Sequence, residues 1–150
     1  DLHLSLRRQR QMCIRDRGEW IVKMNNKRWK KNKLIKNEIN KLNPVSVYGN
    51  GKNLIVSWGS TKGAILDALK RLKDFKFLQI SYLRPFPSER VKKVLESSKK
   101  VVLVENNVTG LLGDVIRENT GISIETKVLK YDARPFTPSY IVNEIKKVVK

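Results

Sequence analysis

Leu54-Ile55-Val56-Ser57-Trp58-Gly59-Ser60-Thr61-Lys62-Gly63 is the stretch on which the fold turns. Its first five residues form a short, nearly continuous apolar run, the pattern of a strand buried on both faces of a parallel sheet. Gly59-Ser60-Thr61 then turns the chain, and Ala64, Ile65, Ala68, Leu69 and Leu72 follow at helical spacing.

The same alternation repeats downstream. Phe77–Tyr82 is expected to be a second strand, and Val91, Val94 and Leu95 mark a second helix. Val101–Val104 is the most apolar strand candidate. Leu111, Leu112, Val115 and Ile116 mark a third helix, closed by Gly121 as a C-terminal cap. Ile122–Leu129 gives a fourth strand, partly alternating. A last helix starts with Thr137 as N-cap and Pro138 at the first helical position, and it turns Ile141, Val142, Ile145, Val148 and Val149 inward. Strands and helices alternating at this spacing imply parallel pairing through right-handed crossovers. The expected fold is α/β: a three-layer open sandwich over residues 45–150, with a mostly parallel sheet of four to five strands. Val45–Tyr48 is the candidate fifth strand, at an edge.

Upstream, residues 18–44 read as a basic linker with a helix. Leu34, Ile35, Ile39 and Leu42 are spaced for one apolar face of a helix over Trp29–Leu42, and Asn43-Pro44 ends it, because a residue before proline avoids helical geometry. Residues 1–17, ending in Met12-Cys13-Ile14-Arg15-Asp16-Arg17, show no helical or strand period. They resemble the translation of a sequencing adapter at a contig end. The alternative is a genuine, disordered basic arm that binds nucleic acid or a membrane surface. His3 and Cys13, the only His and Cys in the chain, both fall in this segment. A Cys/His nucleophile pair or a zinc site is therefore not expected, and one Cys does not supply the four thiolates of an iron–sulfur cluster.

The formal charge of +18 is unevenly spread. Residues 1–44 carry 13 Lys/Arg against 4 Asp/Glu, whereas the much longer remainder carries 19 against 10. No apolar run approaches the ~18 residues of a membrane span, and no secretory signal is visible. The expected compartment is the cytoplasm, with no membrane partner.

Four features bear on chemistry. Gly59-Ser60-Thr61-Lys62-Gly63 sits between strand and helix, where backbone N–H groups can meet a phosphate. Its glycine spacing is not that of a P-loop, and the plainer reading is a tight turn whose Ser60 or Thr61 caps the helix. Glu105-Asn106-Asn107 follows the third strand, at the strand end where open α/β sheets bind ligands; the plainer reading is a polar loop in which Asn takes an unusual backbone angle. A single carboxylate without a partner is not an acid/base site. Gly113-Asp114 lacks the downstream residues of a thiamine-diphosphate motif and falls inside the third helix. Finally, Arg84-Pro85-Phe86 and Arg134-Pro135-Phe136 rhyme. Each joins a strand end to a helix start, with proline stiffening the loop, phenylalanine anchoring it and arginine left at the strand end; the plainer reading is two rigid connectors, and the sharper one an interface surface, where arginine and aromatics are enriched.

The pieces Ile55–Gly63, Leu83–Pro87, Val102–Gly110 and Lys130-Tyr131-Asp132 with Arg134-Pro135-Phe136, in this order, resemble the C-terminal domain of the alpha subunit of 2-oxoacid:ferredoxin oxidoreductases. That domain is similar to the C-terminal domain of transketolase. Lys27-Arg28, Lys30 and Lys31 extend the likeness upstream, so it runs from about Met24 to the end. Two positions depart from the family. Leu111 stands where Gln is usual, which argues against a polar contact there. Ala133 stands where Gly is usual, which argues against a required positive backbone angle.

The resemblance implies a subunit of an enzyme that converts a 2-oxoacid and coenzyme A to acyl-CoA and carbon dioxide, and passes electrons through iron–sulfur clusters to ferredoxin. Thiamine diphosphate carries the carbanion chemistry. It further implies that this fragment binds no cofactor, has no catalytic residue and is inactive alone. Its partners would be the N-terminal part of the same subunit, the beta subunit and, through the complex, ferredoxin. The expected interface residues are Gly59, Ser60, Thr61, Arg84, Glu105, Asn106, Asn107 and Arg134. The competing reading is a small basic nucleic-acid-binding α/β module, favoured by charge and by Trp20 and Trp29 among lysines. It is opposed by the lack of a nucleic-acid motif and by dispersed charge over the α/β part.

Overall fold

The computed structural model describes residues 18–149. The expectations attached to residues 1–17, including His3 and Cys13, lie outside them. The chain divides into two compact units, one up to Lys41 and one from Leu42.

In the first unit a single helix, α1, spans Gly18–Lys41 and buries no residue. It begins at Gly18 rather than at the expected Trp29. Neither proline nor an internal glycine interrupts these residues, and Lys, Asn and the aliphatics all tolerate a helix. Trp29, Leu34 and Ile35 are exposed along it. Leu42 falls just beyond the helix, not on its face.

The second unit is a three-layer α/β sandwich around a five-stranded sheet of order β1-β3-β2-β4-β5. The strands are β1 (Val45–Tyr48), β2 (Asn53–Trp58), β3 (Phe75–Ile80), β4 (Val101–Glu105) and β5 (Thr126–Leu129). β1 is the edge strand and pairs antiparallel with β3, from Val45 opposite Ile80 to Tyr48 opposite Phe77. The other pairings are parallel.

Two strands differ from their expected bounds. β3 runs two residues earlier than Phe77–Tyr82, because Phe75 and Lys76 find partners in Asn53 and Leu54. β5 is only the second half of Ile122–Leu129, because β4 offers it partners only from Val102 to Glu105. Ile124 is still buried.

Four helices cover the sheet: α2 (Lys62–Leu69), α3 (Ser88–Glu96), α4 (Leu111–Thr120) and α5 (Pro138–Val148). Ile65 and Ala68 of α2 join Ile141, Val142 and Ile145 of α5 in one core, on Ile55, Phe77, Val102 and Val104. Val91 and Leu95 of α3 join Leu112 and Ile116 of α4 in a second core, on Leu54, Val56, Leu78 and Leu103. Neighbouring residues of β2 thus alternate between two dry layers, as a doubly covered strand must. Burying each such aliphatic side chain stabilises the fold by roughly 1.5–3 kcal/mol. The ends of α4 and α5 follow the sequence signals: Gly121 takes φ 75 after α4, and the Thr137 hydroxyl accepts the Tyr140 N–H at 3.3 Å. Among the described residues no helix is long and apolar enough to cross a membrane.

Candidate functional site

The two central strands β2 and β4 lie side by side, yet the chain leaves them toward opposite faces. α2 follows β2 into one core and α4 follows β4 into the other. Loops that diverge in this way open a crevice at the carboxyl ends of the strands. Here the crevice is a cleft of about 290 Å³ lined by Trp58, Gly59, Ser60, Thr61, Glu105, Asn106 and Asn107. Six of the eight sequence-derived interface residues therefore meet in one place. Arg84 and Arg134 do not line the cleft.

On the β2 side, Gly59–Thr61 forms a single 3₁₀ turn. Gly59 has φ 64, with open space where a Cβ would stand, so the angle and not crowding calls for glycine. The expected cap does not form. Thr61 is buried, and its hydroxyl donates to the Trp58 carbonyl at 2.8 Å and lies 2.5 Å from the Ser57 hydroxyl. Ser57 in turn donates to the Val104 carbonyl at 2.6 Å. The two hydroxyl protons are shared among three contacts, of which the Ser57–Thr61 pair and the Thr61–Trp58 bond hold the turn to the end of β2, and the Ser57–Val104 bond joins β2 to β4.

On the β4 side, Glu105 is 3% exposed. Its two oxygens accept the Leu112 N–H at 3.1 and 2.9 Å, and one of them also accepts the Trp58 indole N–H at 3.3 Å. A carboxylate placed here satisfies an orphan donor and sits at the positive end of the helix dipole. Asn107 turns its side-chain oxygen back on its own loop, accepting the Thr109 N–H at 3.2 Å and the Gly110 N–H at 2.5 Å. Among the described non-glycine residues the unusual backbone angles expected of this Asn pair fall elsewhere, at Asn43 and Ala133. Asn106 is exposed.

Arg84 and Arg134 stand on the exposed loops after β3 and β5. Their loops are anchored as expected, but on opposite faces: Phe86 enters the core under α3 and α4, and Phe136 the core under α2 and α5.

Sequence reasoning missed Lys130 in the second of these loops. This residue is 8% exposed. Its ammonium donates to the Asp132 carboxylate and, at 3.1 Å, to the Arg134 carbonyl, and it lies 5.5 Å from the centre of the Tyr140 ring. The Lys130 hydrogen bond, and then the Arg134 N–H, hold the Asp132 carboxyl below its ordinary value. Between them Ala133 takes φ 60. The left-handed angle that an alanine argued against is present, enforced by the ties on either side of it.

Gly113 lies in α4, where an added Cβ would come within 3.1 Å of Leu103, so this glycine serves helix–strand packing. Asp114 faces Arg117 at 3.9 Å. The Gly-Asp pair does not fit thiamine diphosphate. Among the described residues no group of three or more His, Cys, Asp or Glu is placed to hold a metal ion.

Residues 51–147 match the family described as pyruvate:ferredoxin oxidoreductase core domain II. The chain is 38% identical over 142 residues to a 2-oxoacid:ferredoxin oxidoreductase subunit alpha of Saccharolobus solfataricus, covering 91% of this chain and 22% of the relative. It is 35% identical over 130 residues to the subunit alpha of 2-oxoacid:ferredoxin oxidoreductase 1 of Sulfurisphaera tokodaii, covering 85% and 21%. The chain thus spans about a fifth of the length of the curated relatives it matches. Among solved structures it is similar to the 2-oxoglutarate:ferredoxin oxidoreductase of Magnetococcus marinus with 2-oxoglutarate, coenzyme A and succinyl-CoA bound. That likeness has a TM-score of 0.72 and 27% identity, over 90% of this chain and 24% of that one. A split-gene transketolase shares the fold, with a TM-score of 0.56 at 22% identity over 70% of this chain and 40% of that one.

Proposed function

The chain belongs to the family of 2-oxoacid:ferredoxin oxidoreductase alpha subunits, within which it matches core domain II, and from that premise we propose that it is a supporting domain of a thiamine-diphosphate-dependent enzyme. The whole enzyme oxidatively decarboxylates a 2-oxoacid to acyl-CoA in the cytoplasm and delivers the electrons to ferredoxin. This domain holds the assembly together; the thiamine diphosphate, the iron–sulfur cluster and the coenzyme A belong to the complete complex. Its partners are the remaining part of the alpha subunit and the beta subunit, and the loops around Gly59, Glu105 and Arg134 face a neighbouring domain.

One observation carries the supporting role. The carboxylate at the switch point, Glu105, is already engaged by Leu112 and Trp58. A group so committed is not poised to accept or donate a proton to a substrate.

The test is reconstitution of the complete alpha subunit with its beta subunit, with and without residues 45–150. The expected result is that the intact pair forms acyl-CoA from a 2-oxoacid and reduces ferredoxin, while the deletion loses the complex in gel filtration and the activity with it. A deletion that still assembles and turns over, or a 150-residue chain that decarboxylates alone, would overturn the assignment.

A further inference from the structure

We infer that the carboxyl-end edge of the sheet is the seat of another domain of the same subunit, one that presents an apolar patch bordered by carboxylates. This rests on reading the chain as one domain of an oxidoreductase alpha subunit, and it names the surface and the chemistry of what covers it.

Large apolar side chains are exposed at this edge from three separate loops: Trp58 at 42%, Val108 at 61%, Leu111 at 58% and Tyr131 at 70%. Trp58 ends β2, Val108 and Leu111 follow β4, and Tyr131 follows β5. In the same α/β unit Val47 lies on the edge strand β1 and Val148 ends α5, while Leu42 leads into β1 at this same edge, where Val45 pairs with Ile80. Trp58 is held by Glu105, and Leu111 and Tyr131 adjoin residues that Glu105 binds. Its carboxylate holds the Trp58 indole and the N–H of Leu112, next to Leu111. Its carbonyl accepts the Lys130 N–H at 3.2 Å, next to Tyr131. Apolar groups fixed in this way lose little freedom when covered, the condition that favours binding. Tryptophan, tyrosine and arginine are also the residues that carry most interface energy.

The charges at this edge are one-sided. Of the two carboxylates there, Glu105 is buried and bound to Leu112, and Asp132, though exposed, is neutralised by its pair with Lys130. Arg84 and Arg134 are exposed, and neither guanidinium has a hydrogen-bond or ion-pair partner among the described residues. A partner surface with carboxylates around an apolar centre matches this arrangement, and a basic one does not. Four side chains also fall short of the roughly 1,600 Å² that joins two independent proteins. A domain on the same chain needs less, because its tether supplies the effective concentration. About four-fifths of the length of the curated relatives lies outside the matched region, so a covering domain is available.

Hydroxyl-radical footprinting of the complete alpha subunit, beside this 150-residue chain, tests the inference. Trp58 and Tyr131 are expected to be oxidised about 5-fold more slowly in the subunit, as buried interface centres are. The double variant Arg84→Glu/Arg134→Glu, which touches no internal bond, is expected to return Tyr131 to its rate in the 150-residue chain. Equal rates for both residues in the unmodified subunit and chain overturn the inference. So does protection that the double variant leaves intact, or protection that appears only when the beta subunit is added. Ferredoxin reduction by the assembled enzyme is read separately. An inactive enzyme with a protected edge would sink the functional reading and leave this one standing.

Discussion

Glu105 and Leu112 are joined across the loop that leaves β4. Both carboxylate oxygens receive the Leu112 N–H, at 3.1 and 2.9 Å, so the last residue of a strand caps the helix that follows it. The N-cap position proper is Gly110, with φ 76 and no side chain to do this. Replacing Glu105 by Ala is therefore expected to cost about 2 kcal/mol, the upper range for losing a cap. Glu105→Gln, which keeps an acceptor but loses the charge at the helix terminus, is expected to cost about 1 kcal/mol. Urea unfolding followed by circular dichroism measures both. An alanine variant as stable as the parent would show that the cap carries no weight.

Ala133 holds φ 60 between two fixed neighbours. A left-handed angle costs an L-residue about 1–2 kcal/mol. Ala133→Gly removes that strain, while the greater freedom of the unfolded chain takes back about 0.5–1 kcal/mol. The variant is expected to gain about 0.5 kcal/mol net, seen as a raised urea midpoint at unchanged slope. A lower midpoint would mean that the angle is not strained in solution.

Two further glycines are expected to respond with opposite signs. A Cβ on Gly51 would stand 2.2 Å from the Asp74 carbonyl carbon and 2.3 Å from the Phe75 nitrogen, which are backbone atoms that cannot step aside. Gly51→Ala should cost about 3 kcal/mol or more, as overpacking against a rigid neighbour does. Gly63 lies in α2 with nothing within 4 Å of its missing Cβ. Gly63→Ala should stabilise by about 0.5–1 kcal/mol through the lower entropy of the unfolded chain. Thermal melts of the two variants and the parent check the ordering.

These cases also mark what the sequence made legible. Period and punctuation were enough to place β2 and β4, the four covering helices and the Thr137 cap, because apolar spacing reports burial directly. Pairing bounds were not, since the length of β5 is set by what β4 offers opposite it. At the site, Gly59 and Glu105 were found from their position at strand ends. Lys130 was not, because a buried lysine and a solvated one are the same letter until Asp132, the Arg134 carbonyl and Tyr140 close around it. The strand-end hydrophobes Trp58 and Tyr131 were hidden for the converse reason: exposure is decided by tertiary packing, and each sits beside a strand that predicts burial.

The Lys130–Asp132 tie predicts a pH dependence with a definite sign. The Asp132 carboxyl is held below its ordinary value by its hydrogen bond from Lys130 and then by that from the Arg134 N–H. A carboxyl whose value is lower in the folded chain than in the unfolded one contributes stability that is fully present above its unfolded value. That contribution is lost as pH falls through the folded value. Stability of the 130–137 loop should therefore fall on the acid side of the ordinary aspartate range, and not near neutrality. Replacing Lys130 by Met removes the larger cause. Asp132 is then expected to titrate at a higher pH than in the parent, as followed by the chemical shift of its carboxyl carbon. Acid-induced exchange of the loop amides should move in the same direction. A titration unchanged by Lys130→Met would assign the shift to the Arg134 N–H instead, and leave Lys130 as packing beneath Tyr140.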